Sequence, residues 1–194
     1  RPFDRNRKGL SLGEGAAILV IEEAGHARRR GAKIYAEIKG YDLTADGHHM
    51  TAPDPAGKGA FRAMEAALKD SGIEPEEVDT INAHGTATPA NDVAETKAIK
   101  ALFKARAREI PVSAIKSMIG HCLGAAGAVE AVAAVLSVYE DKIPPTIHYQ
   151  TPDPECDLDY VPNHARSRPV GIALSNSFAF GGNNTALVFG KWKK

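Results

Sequence analysis

The chain has 194 residues, 43% of them hydrophobic, and its 24 Lys plus Arg are balanced by 24 Asp plus Glu. That length supports one domain or one and a half with a real core, and the charge balance leaves no overall field to attract nucleic acid or an acidic membrane. Two cysteines, Cys122 and Cys156, are too few for a disulfide framework and lack metal-ligand spacing, which points to a reduced, cytoplasmic setting.

The opening RPFDRNRKG has no apolar segment behind it of the kind a signal peptide carries, and it lacks an initiator Met. It reads as the start of a piece of something larger. Ala16 to Glu22 is a short apolar run bounded by Gly13 and Gly15, predicted as a buried strand. Glu23 to Arg30 is a polar helical turn ended by Gly31, and Lys33 to Tyr41 alternates as a second strand. The basic groups Arg28, Arg29 and Arg30, and Lys191, Lys193 and Lys194, read as solvated faces and a tail.

Asp46 to Pro55 is a long loop with adjacent histidines, His48 and His49, and no ligand pattern around them that supports a metal. Gly57 to Ser71 carries Phe61, Met64, Ala67 and Leu68 on one helical face and is closed by Gly72. Val78 to His84 is a short strand that delivers His84 at its C-terminal end, where α/β sheets collect ligands. Asn91 and Asp92, with Glu95 at capping-box spacing, predict the start of a helix over Val93 to Phe103. Pro111 to Ile115 is a further strand leading into the Lys116 loop.

Lys116 to Val138 reads KSMIGHCLGAAGAVEAVAAVLSV: a loop, then a helix apolar on every side except for Glu130, and so packed all round. The apolar run Ala125 to Val138 is too short to span a bilayer. Lys116 and His121 fall at the mouth of this helix, where free N–H groups favour anionic or oxyanionic groups. A Pro-rich irregular stretch runs from Ile143 to Pro162. Two strands, Val170 to Ser175 and Thr185 to Phe189, are joined by a Gly-Gly loop carrying Phe178 and Phe180. The order strand, helix, strand, helix, strand, helix, paired strands predicts an α/β layered architecture.

His84 and His121 each follow a strand and lie beside glycine. Two neutral imidazoles pointing Nε2–H at one place would make an electrophilic pocket for an enolate or thioester oxyanion. Lys116 can orient them, and Glu130 is the partner for a buried ammonium. No convincing nucleophile is present; Cys122 and Cys156 read as structural.

HGTATPAND around His84, KSMIGHCLGAAG around Lys116 and His121, and NSFAFGGNN around Phe178 and Phe180 together resemble the β-ketoacyl-acyl carrier protein synthases, the class II elongation enzymes in particular. The resemblance covers nearly the whole chain. It implies a thiolase-like α/β fold in which residues 33–194 form the C-terminal βαβαβαββ half and residues 1–32 the end of the N-terminal half, with its last strand. It implies that His84 and His121 stabilise the enolate from malonyl-acyl carrier protein, with Lys116 and Glu130 as their supporting pair. Thr86, Thr88 and Thr51 match positions that hold the phosphopantetheine arm, Phe178 lies in the same substrate-binding motif, and Phe180 with Gly181 matches the gating and oxyanion segment. No metal or redox cofactor is implied, since the substrates ride on the phosphopantetheine of acyl carrier protein. The implied partners are acyl carrier protein, a second copy as homodimer, and an N-terminal half bearing the nucleophilic cysteine, which is outside this sequence. No nucleic acid and no membrane span are implied. Without that cysteine this chain alone is expected to be inactive. A polyketide ketosynthase and a non-catalytic chain-length-factor-like subunit are the rival readings.

Overall fold

The computed structural model describes residues 1–193; Lys194, at the end of the basic tail, lies outside them. Helix α1 (Ala24–Arg29) is capped by Glu23, whose carboxylate accepts the N–H groups of Gly25 and His26. Then follow β1 (Glu37–Ala45), α2 (Lys58–Ser71), β2 (Thr80–Asn82), α3 (Pro89–Phe103), β3 (Val112–Ser113), α4 (Lys116–Ile119) and α5 (Ala126–Glu140). A short pair, β4 (Lys142–Ile143) and β5 (Arg166–Ser167), precedes the hairpin of β6 (Ile172–Ala179) and β7 (Asn183–Gly190).

Five strands form one mixed sheet in the order β1-β7-β6-β2-β3. The β1, β7 and β6 pairings are antiparallel, whereas β6, β2 and β3 run parallel. The carboxyl ends of β2, β3 and β6 therefore meet at one edge. Alternation along the strands sorts the core by face. Ile81, Leu174 and Val188 pack with Met64 of α2 and Ile99 of α3, while Ala173 and Phe189 pack with Ala131, Ala134 and Val138 of α5. Each large aliphatic side chain so buried stabilises by about 1.5–3 kcal/mol. Helix α2 lies directly on β1 at Gly40, where a Cβ would stand 2.6 Å from Ser71 N and 2.7 Å from Ala67 O.

Several expectations need correction. Residues 16–22 form neither strand nor helix, and Ile18, Val20 and Ile21 are among the most exposed apolar residues. β-propensity favours a strand, but among the described residues no neighbouring strand supplies the ladder. Strand β1 begins at Glu37 rather than Lys33 because β7 ends at Gly190, the partner of Glu37. Before it, Lys33 Nζ sits 4.5 Å and 4.3 Å from the ring centres of Tyr35 and Tyr139. Strand β6 extends through Ala179, so Phe178 belongs to a strand and the turn is Phe180 to Gly182.

Helix α3 starts at Pro89, not Val93, because Thr88 caps it by accepting Asn91 N–H at 3.2 Å and proline suits the first position. Asp92 and Glu95 are left free for other work. Helix α5 is packed on one side only. Its Val132, Val135 and Leu136 border an open groove of about 700 Å³ shared with residues 18–22. Together with the 3₁₀ turn at Leu123–Ala125, the segment Leu123–Glu140 has the length and apolar composition of a membrane-crossing helix, a property that the core helix of a globular protein shares. Here it lies against β6 and buries the Glu130 carboxylate.

Candidate functional site

Strand β2 is buried throughout, so its end places His84 inside, 5% exposed. The turn after it is held from α3. Glu95 accepts the N–H groups of His84 at 2.8 Å and Gly85 at 2.9 Å, and also the Asn176 side chain at 3.2 Å. Asp92 accepts Phe3 N–H at 2.6 Å and Ala87 N–H at 3.1 Å. Burial pushes both carboxyls up, Asp92 to about 6, against these donors. The spacing of Asp92 and Glu95 predicts a cap; the contacts make them anchors of the His84 turn. Their side chains reach back to N–H groups that a helical pattern alone does not locate.

Lys116 begins α4 just past β3. Its ammonium donates to His84 O at 2.6 Å, lies 3.4 Å from His84 Nδ1, and forms an ion pair with Glu130 that is nearly free of solvent. Burial pushes Glu130 up, to about 7, with Lys116 pulling the other way. Ser177 Oγ stands 3.4 Å from the second Glu130 oxygen.

His121 follows a glycine that must be glycine. Gly120 has φ 74° and lies 2.9 Å, measured from the Cβ it would carry, from Gly13 N. The opposing Gly13 would put a Cβ 2.1 Å from Ile119 O. This crossing lets the segment Ser11–Gly13 bracket His121: His121 N–H donates to Ser11 O at 2.8 Å, and Gly13 N–H donates to His121 O at 3.1 Å. Gly13→Ala is therefore expected to lower stability by about 1–3 kcal/mol, read from urea unfolding. A variant as stable as the parent would show that the crossing tolerates a side chain.

The two imidazoles meet edge to face, with ring centres 5.4 Å apart and planes at 83°. Phe178 closes a third side, 5.2 Å from His84. The tautomers follow from the neighbours. His121 Nδ1 accepts Leu123 N–H at 3.1 Å, and His84 Nδ1 faces an ammonium, so each ring carries its proton on Nε2. Burial first, then the Lys116 charge, lowers both imidazoles, His84 well below the ordinary range. The result is a pair of neutral N–H donors beside an apolar wall, suited to an oxygen that gains negative charge.

The remaining predicted residues sit around this cluster, not in it. Thr86 and Thr88 share a hydrogen bond of 2.9 Å between their hydroxyls at the start of α3. Thr51 is exposed on the 46–55 loop, whose Met50 O accepts Gly181 N–H at 2.7 Å and so ties that loop to the hairpin turn. Phe180 on that turn is 71% exposed. Cys122 is half-buried, and Cys156 is buried with its thiol pushed up to about 11, a poor nucleophile.

A mixed sheet with this order, helices on both faces and a His–His–Lys–Glu cluster at its carboxyl edge defines a thiolase-like ketosynthase half. The chain belongs to the family described as Beta-ketoacyl synthase, C-terminal domain, which matches residues 35–150. It is 58% identical over 193 residues to 3-oxoacyl-[acyl-carrier-protein] synthase 2 of Synechocystis sp., covering all of this chain and 46% of that protein. The corresponding protein of Staphylococcus aureus is 54% identical over 193 residues, again with full coverage here and 47% there. The chain thus spans about half the length of the curated relatives it matches. Among solved structures, a type II polyketide ketosynthase in complex with its acyl carrier protein superposes with a TM-score of 0.97 at 43% identity, over 99% of this chain and 47% of that one. The ishigamide ketosynthase/chain length factor gives 0.96 at 46% identity, over 100% of this chain and 47% of that one.

Proposed function

We propose that this chain is the C-terminal part of a 3-oxoacyl-acyl carrier protein synthase acting in fatty-acid elongation. The observation that carries the reading is the pair of neutral imidazoles, His84 and His121, each with its proton on Nε2 and held beside the buried Lys116–Glu130 pair. When malonyl-acyl carrier protein loses CO₂, the electron pair of the broken C–C bond moves onto the thioester carbonyl oxygen. The two Nε2–H groups stabilise that enolate. Its carbon then attacks an acyl thioester, displacing the sulfur of a cysteine on the N-terminal half, so that covalent capture divides the condensation into easier steps. Lys116 fixes the His84 ring and keeps it neutral by its charge.

Thr86, Thr88 and Thr51 hold the phosphopantetheine arm in this reading, Phe178 walls the pocket, and Phe180 with Gly181 gates it and contributes backbone N–H groups. Residues 1–32 end the N-terminal half and residues 33–194 form the C-terminal half. The open groove beside α5 is where the N-terminal half packs. Acyl carrier protein as donor and acceptor, a homodimer and a cytoplasmic location complete the proposal. A polyketide role draws support from the solved ketosynthases, which are 43–46% identical, against 54–58% for the fatty-acid enzymes. A purely structural subunit has no use for the intact His–His–Lys–Glu set.

The test is synthesis by the full-length protein from acyl- and malonyl-acyl carrier protein. A 3-oxoacyl product from the whole protein, and none from residues 1–194 alone, is the expected result. Absence of both condensation and malonyl decarboxylation in the whole protein would overturn the proposal.

A further inference from the structure

Strand β3 is two residues long, and its ladder ends where the Lys116 turn begins. What holds the chain from there to α4 is the start of the Pro-rich stretch, through hydroxyl groups instead of strand pairing. Ser113 Oγ donates to Pro144 O at 2.7 Å. Ala114 N–H donates to Thr146 Oγ1 at 2.9 Å. Ser117 Oγ donates to Ala114 O at 2.7 Å and accepts Ile147 N–H at 2.9 Å. Lys116 lies between the two pinned positions, 114 and 117.

The strap is itself immobilised. Thr146 is fully buried, donates its N–H to Val161 O at 3.0 Å and accepts Asn163 N–H at 2.9 Å. Val161 is a buried β-branched residue at φ 48°, a conformation that persists only where the surroundings over-determine it. Further along, Asp4 accepts the N–H groups of Gln150 at 2.6 Å and Thr151 at 2.7 Å. A segment this firmly held can transmit its position to the turn it grips.

We infer that Thr146 and Ser117 are positioning residues that set the Lys116 ammonium against His84, acting through the backbone at Ala114 and Ile147. The inference rests on the proposed role of the His84–Lys116–His121 cluster, but its first readout is independent of that role. The groups that face His84 are Lys116 from α4, His121 from the loop after it, Phe178 from β6, and Glu95 of α3 at the His84 N–H; Glu130 of α5 acts through Lys116. Of these, the Lys116 charge is the one the strap controls. If the ammonium drifts from the ring, His84 protonates more readily.

The experiment follows the His84 ring nitrogens by NMR against pH in the full-length protein labelled with ¹⁵N-histidine. It compares the parent with Thr146→Val, Ser117→Ala and Thr146→Ser. The first two variants are expected to raise the pH at which His84 protonates by about one unit, and Thr146→Ser to restore it. Malonyl decarboxylation kcat should fall about tenfold in the same two variants with KM unchanged, as for a small displacement of a reacting group. Should Thr146→Val not fold, Ser117→Ala carries the comparison. An unmoved His84 titration in the folded variants, with only a lower melting temperature, would overturn the inference and leave the strap a stabilising element. A shifted titration in a protein whose parent does not decarboxylate malonyl groups would support the positioning and remove the proposed function instead.

Discussion

Replacing His84 or His121 with alanine is expected to slow malonyl-acyl carrier protein decarboxylation by the full-length protein about 10²–10³-fold, the usual effect of removing one oxyanion donor from a dry site. The effect should fall on kcat, because in the proposed reaction the donors act on charge that develops only as CO₂ leaves. His84 is the deeper of the two and faces Lys116, His121 and Phe178, so its loss should be the larger. The pH dependence has a definite sign. Both imidazoles are lowered by burial and by Lys116, so they remain neutral at pH 7, and the acid limb of kcat should lie below the ordinary imidazole value of about 6.5. The same shifts link to folding. Below about pH 6.5 the unfolded chain takes up protons that the folded histidines refuse, so this contribution to stability is present above that pH and lost as the pH falls. Unchanged decarboxylation in both alanine variants would dismiss the enolate pocket.

Breaking the Lys116–Glu130 pair from one side should be the most damaging change to the fold. Lys116→Met leaves a carboxyl, and Glu130→Leu an ammonium, where side-chain exposures are 1% and 4%. Each single variant is expected to lose about 3–5 kcal/mol in urea unfolding, because Glu130→Leu leaves an ammonium buried without its counter-charge and Lys116→Met leaves a carboxyl buried without its donor. The double variant, apolar at both positions, should regain most of that loss, since the pair's attraction is spent on its own desolvation. Losses in the double variant that simply add would show the two groups to be independent. In Lys116→Met the sign of the pH effect follows from Glu130. Its folded value is already raised to about 7 by burial, so the native state holds a proton the unfolded chain releases, and stability declines as the pH rises through that value. Losing the cation raises Glu130 further and moves the decline to higher pH. Asp92, raised to about 6, contributes in the same direction.

Much of the molecule is legible in the order of residues. Phe61, Met64, Ala67 and Leu68 mark α2, and Gly72 ends it in the left-handed conformation that glycine accepts without cost. The end of β2 and the short β3 place His84 and Lys116 at one sheet edge, which parallel pairing then makes a common site. The errors fall where a partner decides. Residues 16–22 have the composition of a strand yet form none, and leave Ile18, Val20 and Ile21 exposed, because a strand needs a neighbour to receive its N–H and C=O groups. Helix α5 is apolar around its whole circumference, and one flank faces the open groove.

Local pattern by itself marked α2, α3 and α5, the glycine turns and the candidate residues His84, His121, Lys116 and Glu130, because propensity, periodicity and motif act over a few residues; it did not mark α4, read as a loop, or the β4–β5 pair. Tertiary structure alone decided the work of groups that act across long separations. It made Glu95 and Asp92 anchors of the His84 turn instead of caps, brought Ser11 and Gly13 to bracket His121, and set the Thr146 strap against β3. Buried N–H groups must find acceptors wherever the fold provides them, and spacing along the chain does not reveal an acceptor that only packing brings near.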